Sequence, residues 1–267
     1  MGILTCSSAG LLLNGAPLPC PLIRPTHCAA DAEGVTAADA QARQLWHGGS
    51  VSPCGPGLVA LCRWKGYALT LCSEADCLTL HGPDGYPLAA VPCGVDPAGM
   101  CLHGDGVLVA GGMAGHVYDI SLPGLKPVAA HPVPGTACAV AAHGAEAWVL
   151  CMLPEDEPCT ALLKLCLHTG EYAALACLPG LPGAVHADAD GVWAAAGDAL
   201  DHIPHGSSRP DLHVSGFGCI RKLCRSGDDL LLTDAERGLC ALLRSGDAPT
   251  LQVLHASGVQ SAAFTTA

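Results

Sequence analysis

GMCLHGDGVLVAGG occupies Gly99 to Gly112. It reads as an apolar segment, a tight turn at Gly104-Asp105-Gly106, and a second apolar segment. HVYDISL (His116–Leu122) and KPVAAHP (Lys126–Pro132) follow, again separated by Gly and Pro. Apolar runs of about four to eight residues bounded by Gly, Pro, Asp and Ser are strands. Four of them in succession, joined by short turns, predict one antiparallel sheet. Helical periodicity of useful length is absent. Val35–Ala42 is alanine-rich, but it is short and keeps the strand register.

The opening phrase recurs. HCAADAEGVTAADAQ starts at His27, LVALCRWKGYALTLC at Leu58, ACAVAAHGAEAWVLC at Ala137, AVHADADGVWAAAG at Ala184 and CIRKLCRSGDDLLLTD at Cys219. With Gly99 in its place, successive starts are 31, 41, 38, 47 and 35 residues apart. That is the period of a four-stranded propeller blade. The ends supply a further blade. VQSAAFTTA (Val259–Ala267) reads as an innermost strand with nothing after it, and MGILTCSSAGLLLNG (Met1–Gly15) as second and third strands with nothing before them. Pairing them removes two exposed sheet edges. The expectation is an all-β, seven-bladed β-propeller in one domain over residues 1–267, with a shared blade from 259–267 and 1–24. A six-bladed ring is the alternative if the irregular region His27–Cys54 is not a full sheet.

Composition narrows the classes. The chain has 267 residues, 13% of them charged, and a formal net charge of −12. An acidic surface repels phosphate backbones and anionic headgroups, so neither nucleic acid nor membrane is expected as a partner. No basic segment precedes the first apolar run, so no signal peptide is expected. The 17 cysteines include no Cys-x-x-Cys pair. Most sit in apolar strands, where Cys behaves as a small hydrophobe. The expectation is free thiols, no disulfide, and a monomer in the cytoplasm.

GVLVAG…GHVYDI (Gly106–Ile120) and PGTACAVAAHGAEAWVL (Pro134–Leu150) are similar to the YVTN-type repeat of bacterial seven-bladed propellers. The resemblance is strongest from Asp96 to Gly197. It implies the fold. Because propellers of that look include lactonases, it also implies an enzymatic alternative, which would need carboxylates, His or Arg converging at the channel mouth. The WD-repeat pattern is absent.

No nucleophile elbow, phosphate loop, dinucleotide fingerprint or His-Glu-x-x-His helix occurs. His186, Asp188 and Asp190 alternate, so on a strand they share a face and can hold a divalent cation. The same residues also read as a strand running into an Asp-Gly turn. No other cofactor is expected. In an antiparallel A-B-C-D blade, the B–C turns and D–A crossovers lie at one end. That end carries Glu74, Asp76, Glu155, Asp156, Glu157, Asp234 and Glu236, with His27, His131 and His255 at or beside the crossovers. A rim of carboxylates attracts a cationic ligand or a basic protein surface. The segment from Cys219 to Arg225, CIRKLCR, is the most electropositive cysteine context in the chain. The reading is a non-enzymatic binding or scaffolding propeller whose partner, protein or small ligand, engages the B–C/D–A end. A lactonase-like hydrolase or a metal or small-ligand site at the channel mouth is the alternative.

Overall fold

A computed structural model describes residues 2–7, 9–154, 159–244, 249–255 and 258–265. Its 28 strands form seven four-stranded antiparallel sheets, and no helix occurs among the described residues. Blade one joins β1 (Gly2–Ser7), β2 (Gly10–Leu13) and β3 (Ala16–Pro17) to the last strand, β28 (Val259–Thr265). Blade two is β4 (His27–Asp31), β5 (Gly34–Asp39), β6 (Gln44–His47) and β7 (Ser50–Pro53). Blade three is β8 (Leu58–Trp64), β9 (Tyr67–Cys72), β10 (Cys77–His81) and β11 (Pro87–Pro92). Blade four follows with β12 (Gly99–His103), β13 (Gly106–Ala110), β14 (His116–Ser121) and β15 (Lys126–Pro132). Blade five is β16 (Thr136–His143), β17 (Glu146–Met152), β18 (Cys159–Cys166) and β19 (Tyr172–Pro179). Blade six is β20 (Pro182–Ala187), β21 (Gly191–Ala196), β22 (Ala199–Pro204) and β23 (Leu212–Ser215). Blade seven is β24 (Ile220–Ser226), β25 (Asp229–Asp234), β26 (Leu239–Arg244) and β27 (Thr250–His255).

The architecture is a seven-bladed β-propeller. The region His27–Cys54 is a complete sheet, which removes the six-bladed alternative. The chain divides into two compact units, Met1–Ala90 with Ile220–Ala267, and Val91–Cys219. In the first unit, β28 pairs with β1 in antiparallel register, with Ile3 opposite Phe264, Leu4 opposite Ala263 and Cys6 opposite Ser261.

Burial follows strand position. Every residue of β13 and β21, second strands of their blades, is buried. Such strands are covered on both faces and read as continuous apolar runs. Outer strands such as β15 and β27 are mostly exposed. Small side chains let the sheets approach: Ala194, Ala195 and Ala196 are all buried, and Trp148 and Trp193 supply the largest buried volumes. In the second unit one apolar cluster joins Leu108, Val117, Val140, Val149 and Leu163 across blades four and five. A second joins Trp148, Leu162, Val192 and Ile203 across blades five and six. In the first unit, Leu4, Cys6, Leu11, Cys28 and Ala37 pack blade one on blade two.

A polar network ties blade two to blade three within the first unit. Arg63 Nε donates to Asp31 Oδ1 at 2.8 Å, and its NH1 reaches Thr36 Oγ1 at 2.7 Å and His47 Nδ1 at 2.9 Å. His47 Nε2 bonds the Gly66 carbonyl at 2.8 Å, and Asp31 Oδ2 accepts from the Gly66 amide at 3.2 Å. A guanidinium donating to Nδ1 requires a neutral imidazole that carries its proton on Nε2. Burial and the Arg63 charge push His47 down from its usual range accordingly.

The expected absence of disulfides is corrected. Ala161 of β18 lies opposite Cys177 of β19, so Cys159 and Cys177 are diagonal cross-strand neighbours. Their sulfurs are bonded, and the other 15 cysteines are in no disulfide. The bond spans 18 residues, so a search for short cysteine spacings could not find it.

Two outcomes follow from this packing. Deleting 259–267 strips β1 of its inner partner, and the shortened chain should melt far below the full one and aggregate. Equal melting curves would contradict the pairing. Replacing Arg63→Met leaves a partly buried Asp31 carboxylate without its cation, which should cost about 3 kcal/mol in urea unfolding.

Candidate functional site

The second unit places three successive crossovers beside three B–C turns. Crossover 93–98 meets turn 111–115, where the Met113 amide donates to the Val95 carbonyl at 2.9 Å. Gly112 permits this closeness: its φ is +56°, and a Cβ there would lie 1.8 Å from the Asp96 carbonyl oxygen. Gly135, at φ +81°, does the same in blade five, where a Cβ would lie 2.3 Å from the Met152 carbonyl oxygen. In blade six, Gly180 and Gly197 touch. With the backbone pressed so close, larger side chains on these turns are left outside. Val95 is 54% exposed, Met113 70%, Met152 36% and Leu181 60%. Asp96 and Asp198 stand exposed among them. No Lys, Arg or His occurs in these crossovers and turns.

The residues singled out by charge are distributed differently. In the first unit, Glu74 and Glu236 are exposed on B–C turns, and Asp76 sits half-buried with φ 51°. Asp234 is buried, and its Oδ1 accepts from the Arg237 amide at 3.1 Å, closing its own turn. His255 is half-buried at the end of β27, with its ring over Gly15. In the second unit, His131 is buried inside β15 beneath Gly170. Glu155, Asp156 and Glu157 lie outside the described residues. The candidate metal residues span the first turn of blade six. Asp188 Oδ1 accepts from the amides of Asp190 at 2.8 Å and Gly191 at 3.3 Å, and His186 Nε2 is 3.9 Å from Asp188 Oδ2. Among the described residues, no three His, Cys, Asp or Glu side chains are grouped to hold a metal ion. A cleft of about 210 Å³ in the second unit is lined by Trp148, Lys164, Ile203 and His205. Lys164 pairs there with Glu146, and His205 Nε2 bonds the Asp188 carbonyl.

A further cluster lies on the inner strands of the first unit, where β24, β28, β4 and β8 pack in that order. Alternation on β24 puts Lys222 and Cys224 on one face, while Arg221 points to solvent. Lys222 Nζ donates to the Cys28 carbonyl at 2.7 Å and to Ser261 Oγ at 3.3 Å, so it bridges β24 to β4 across β28. The Cys28 thiol lies 3.5 Å from the Ser261 carbonyl and 3.9 Å from the Leu4 carbonyl, and it packs in one apolar cluster with Cys6. The neighbouring Cys6 thiol and the Lys222 charge outweigh burial and bring Cys28 down to about 7. Burial drives Cys6 the other way. Burial also raises Cys62 to about 11. Lys222 itself stays strongly basic: burial alone would lower it, but the thiols Cys224, Cys28, Cys62 and Cys6 hold it up. His27, bonded to Thr26 Oγ1 at 2.9 Å, is lowered to about 4 by burial and then by Lys222.

Sequence reasoning missed the apolar residues because it searched turns for charge. The sign of Met113 was a large side chain inside Gly111-Gly112-Met113-Ala114-Gly115. It did mark CIRKLCR, but Cys219 precedes β24, and the pair that meets is Lys222 with Cys28, far apart in sequence.

No protein-family model matches the chain, and no curated protein matches it in sequence. Solved structures are similar to it in fold. A 6-phosphogluconolactonase-like protein of Bacteroides uniformis is 11% identical over 98% of each chain, with a TM-score of 0.71. A catalytically inactive virginiamycin B lyase of Staphylococcus aureus bound to quinupristin is 11% identical, covering 87% of this chain and 85% of its own, with a TM-score of 0.66. BamB of Moraxella catarrhalis is 12% identical, covering 98% and 82%, with a TM-score of 0.59. At these identities the likeness shows the propeller fold alone.

His27 fixes an acid limit. The folded protein keeps it neutral to about pH 4, whereas an unfolded chain protonates it near 6.5. Stability should therefore fall as pH drops from about 6.5 to 4, with about 3 kcal/mol owed to this residue. His27→Gln should remove that share of the slope in urea titrations at each pH.

Proposed function

We propose that this chain is a non-enzymatic binding propeller of the YVTN type, and that its partner is a protein segment carrying both apolar and cationic side chains. The observation that carries this reading is the exposure of Val95, Met113, Met152 and Leu181 at the B–C/D–A end of blades four to six. Large apolar groups grouped on turns with no internal role in packing are a feature of contact surfaces. The surrounding charge is of one sign: Asp96, Asp198 and, in sequence, Glu155, Asp156 and Glu157. Such a surface discriminates against acidic partners and steers basic ones. In the first unit, Glu74 and Glu236 add exposed carboxylates on the same class of turn. The YVTN assignment is supported by the strand and turn phrasing of Gly106–Ile120.

The test uses a Leu- and Lys-based amphipathic peptide as probe, with binding read by calorimetry. Affinity should fall steeply as salt rises. Met113→Ser combined with Leu181→Ser should weaken it about tenfold or more, since each buried side chain is worth roughly 1–2 kcal/mol. Undiminished affinity in that variant, with its melting temperature unchanged, would remove the proposal.

A further inference from the structure

We propose that the Cys159–Cys177 disulfide is a reversible redox-modification site, opened by a dithiol while the protein stays folded, and that when closed it fastens the crossover from blade five to blade six. The two sulfurs are bonded across the open end of the β18–β19 hairpin. Ala161 pairs with Cys177, so alternation puts Cys159, Ala161 and Cys177 on one face. Access sets this pair apart. Cys177 is exposed on the outer strand and Cys159 is half-buried, so a thiolate in solvent reaches the Cys177 sulfur. Cys72 and Cys77 also stand directly opposite each other, on β9 and β10, but they are in no disulfide and Cys72 is fully buried. The register gives the bond its task. Cys159 lies opposite Pro179, the last residue of β19, and proline has no amide hydrogen to give that rung. Beyond it, the Thr160 hydroxyl donates to the Gly180 carbonyl at 2.7 Å, and the Gly197 amide donates to the Leu181 carbonyl at 2.8 Å. The disulfide is the covalent tie at the point where the outer strand hands over to Gly180 and the exposed Leu181. Opening it leaves that handover on hydrogen bonds.

The exchange balances with a dithiol as reductant. One thiolate of the dithiol attacks the Cys177 sulfur; a mixed disulfide forms, the Cys159–Cys177 bond breaks, and Cys159 leaves as a thiolate that takes a proton from solvent. The second thiol of the reductant, after losing its proton, attacks the reductant's own sulfur in the mixed disulfide. The reductant closes its internal disulfide, and Cys177 leaves and is protonated in turn. Two electrons and two protons pass from the dithiol to the protein, which ends with two thiols. The oxidised dithiol drives the same steps backwards and closes the bond.

The experiment treats the folded full chain with dithiothreitol at neutral pH, alkylates the exposed thiols and maps peptides by mass spectrometry. Without reductant, neither Cys159 nor Cys177 should be labelled. With it, both should be labelled together, while Cys72 stays unlabelled until denaturant is added. Hydrogen exchange at the amides of Leu178, Gly180 and Leu181 should quicken at least tenfold in the reduced protein and stay unchanged across β21. Oxidised dithiothreitol should restore the bond and the slow exchange. The melting temperature should drop by about 5 °C or more on reduction. The point of attack is read with glutathione disulfide: Cys159→Ser should take glutathione on Cys177 at least tenfold faster than Cys177→Ser takes it on Cys159. Should either variant fail to fold, the wild-type labelling and exchange still decide. Reduction only in denaturant, labelling of the pair without reductant, reoxidation to a different cysteine partner, or unchanged exchange at 178–181 would overturn the proposal.

Discussion

The ladder between β28 and β1 is the constraint on which the first unit depends. It carries residues from opposite ends of the chain into one sheet, with Cys6 directly opposite Ser261. The Lys222 ammonium is then fixed by Ser261 on one strand and by the Cys28 carbonyl on the next. Cys28 in turn packs on Leu4 and Cys6 of blade one. Blade closure and the thiol cluster are therefore one construction. A strand that failed to pair would remove a hydroxyl and a carbonyl from the cluster along with the apolar contacts.

The two cations set into the first unit show two solutions to one problem. Arg63 uses the planar fork of its guanidinium to satisfy a carboxylate, a hydroxyl and a neutral imidazole at once. It fixes geometry and leaves nothing reactive. Lys222 is a point charge on a flexible stem, and it is surrounded by polarisable sulfur rather than by a carboxylate. Thiols give up protons at far higher pH than carboxylates do, so this ammonium meets partners that are ionised only in part.

The repeat made the blades legible, because an apolar strand, a Gly or Asp turn and a second apolar strand recur every 31 to 47 residues. Blade two was the least regular in sequence, since alanine and threonine replace larger residues in β4 and β5, yet its strands pair as fully as the rest. The end that bears the B–C turns was also legible from topology. Its chemistry was legible only in part. Asp234 reads as a rim carboxylate, but a buried aspartate at a turn accepts from the backbone two or three residues on. Met113 carries no charge and drew no attention as a rim residue, but Gly112 beside it lets the turn press against Asp96, and the Met113 side chain stands outward. The thiol cluster draws on β1, β4, β8 and β24, and no local spacing encodes a meeting of four strands from three quarters of the chain.

The register of β1 and β28 also sets how the molecule bears load. Gly2 lies opposite Thr265, so the outer tips of both strands sit at the same end of their ladder. Tension applied to those two tips pulls them apart perpendicular to the strands. The rungs then break one after another, as in a zipper, instead of sharing the force as parallel shear would make them. The pair that completes blade one is thus the first to part under a pull from its own ends, and Ser261, four rungs in, is released from Cys6 only near the end of that sequence.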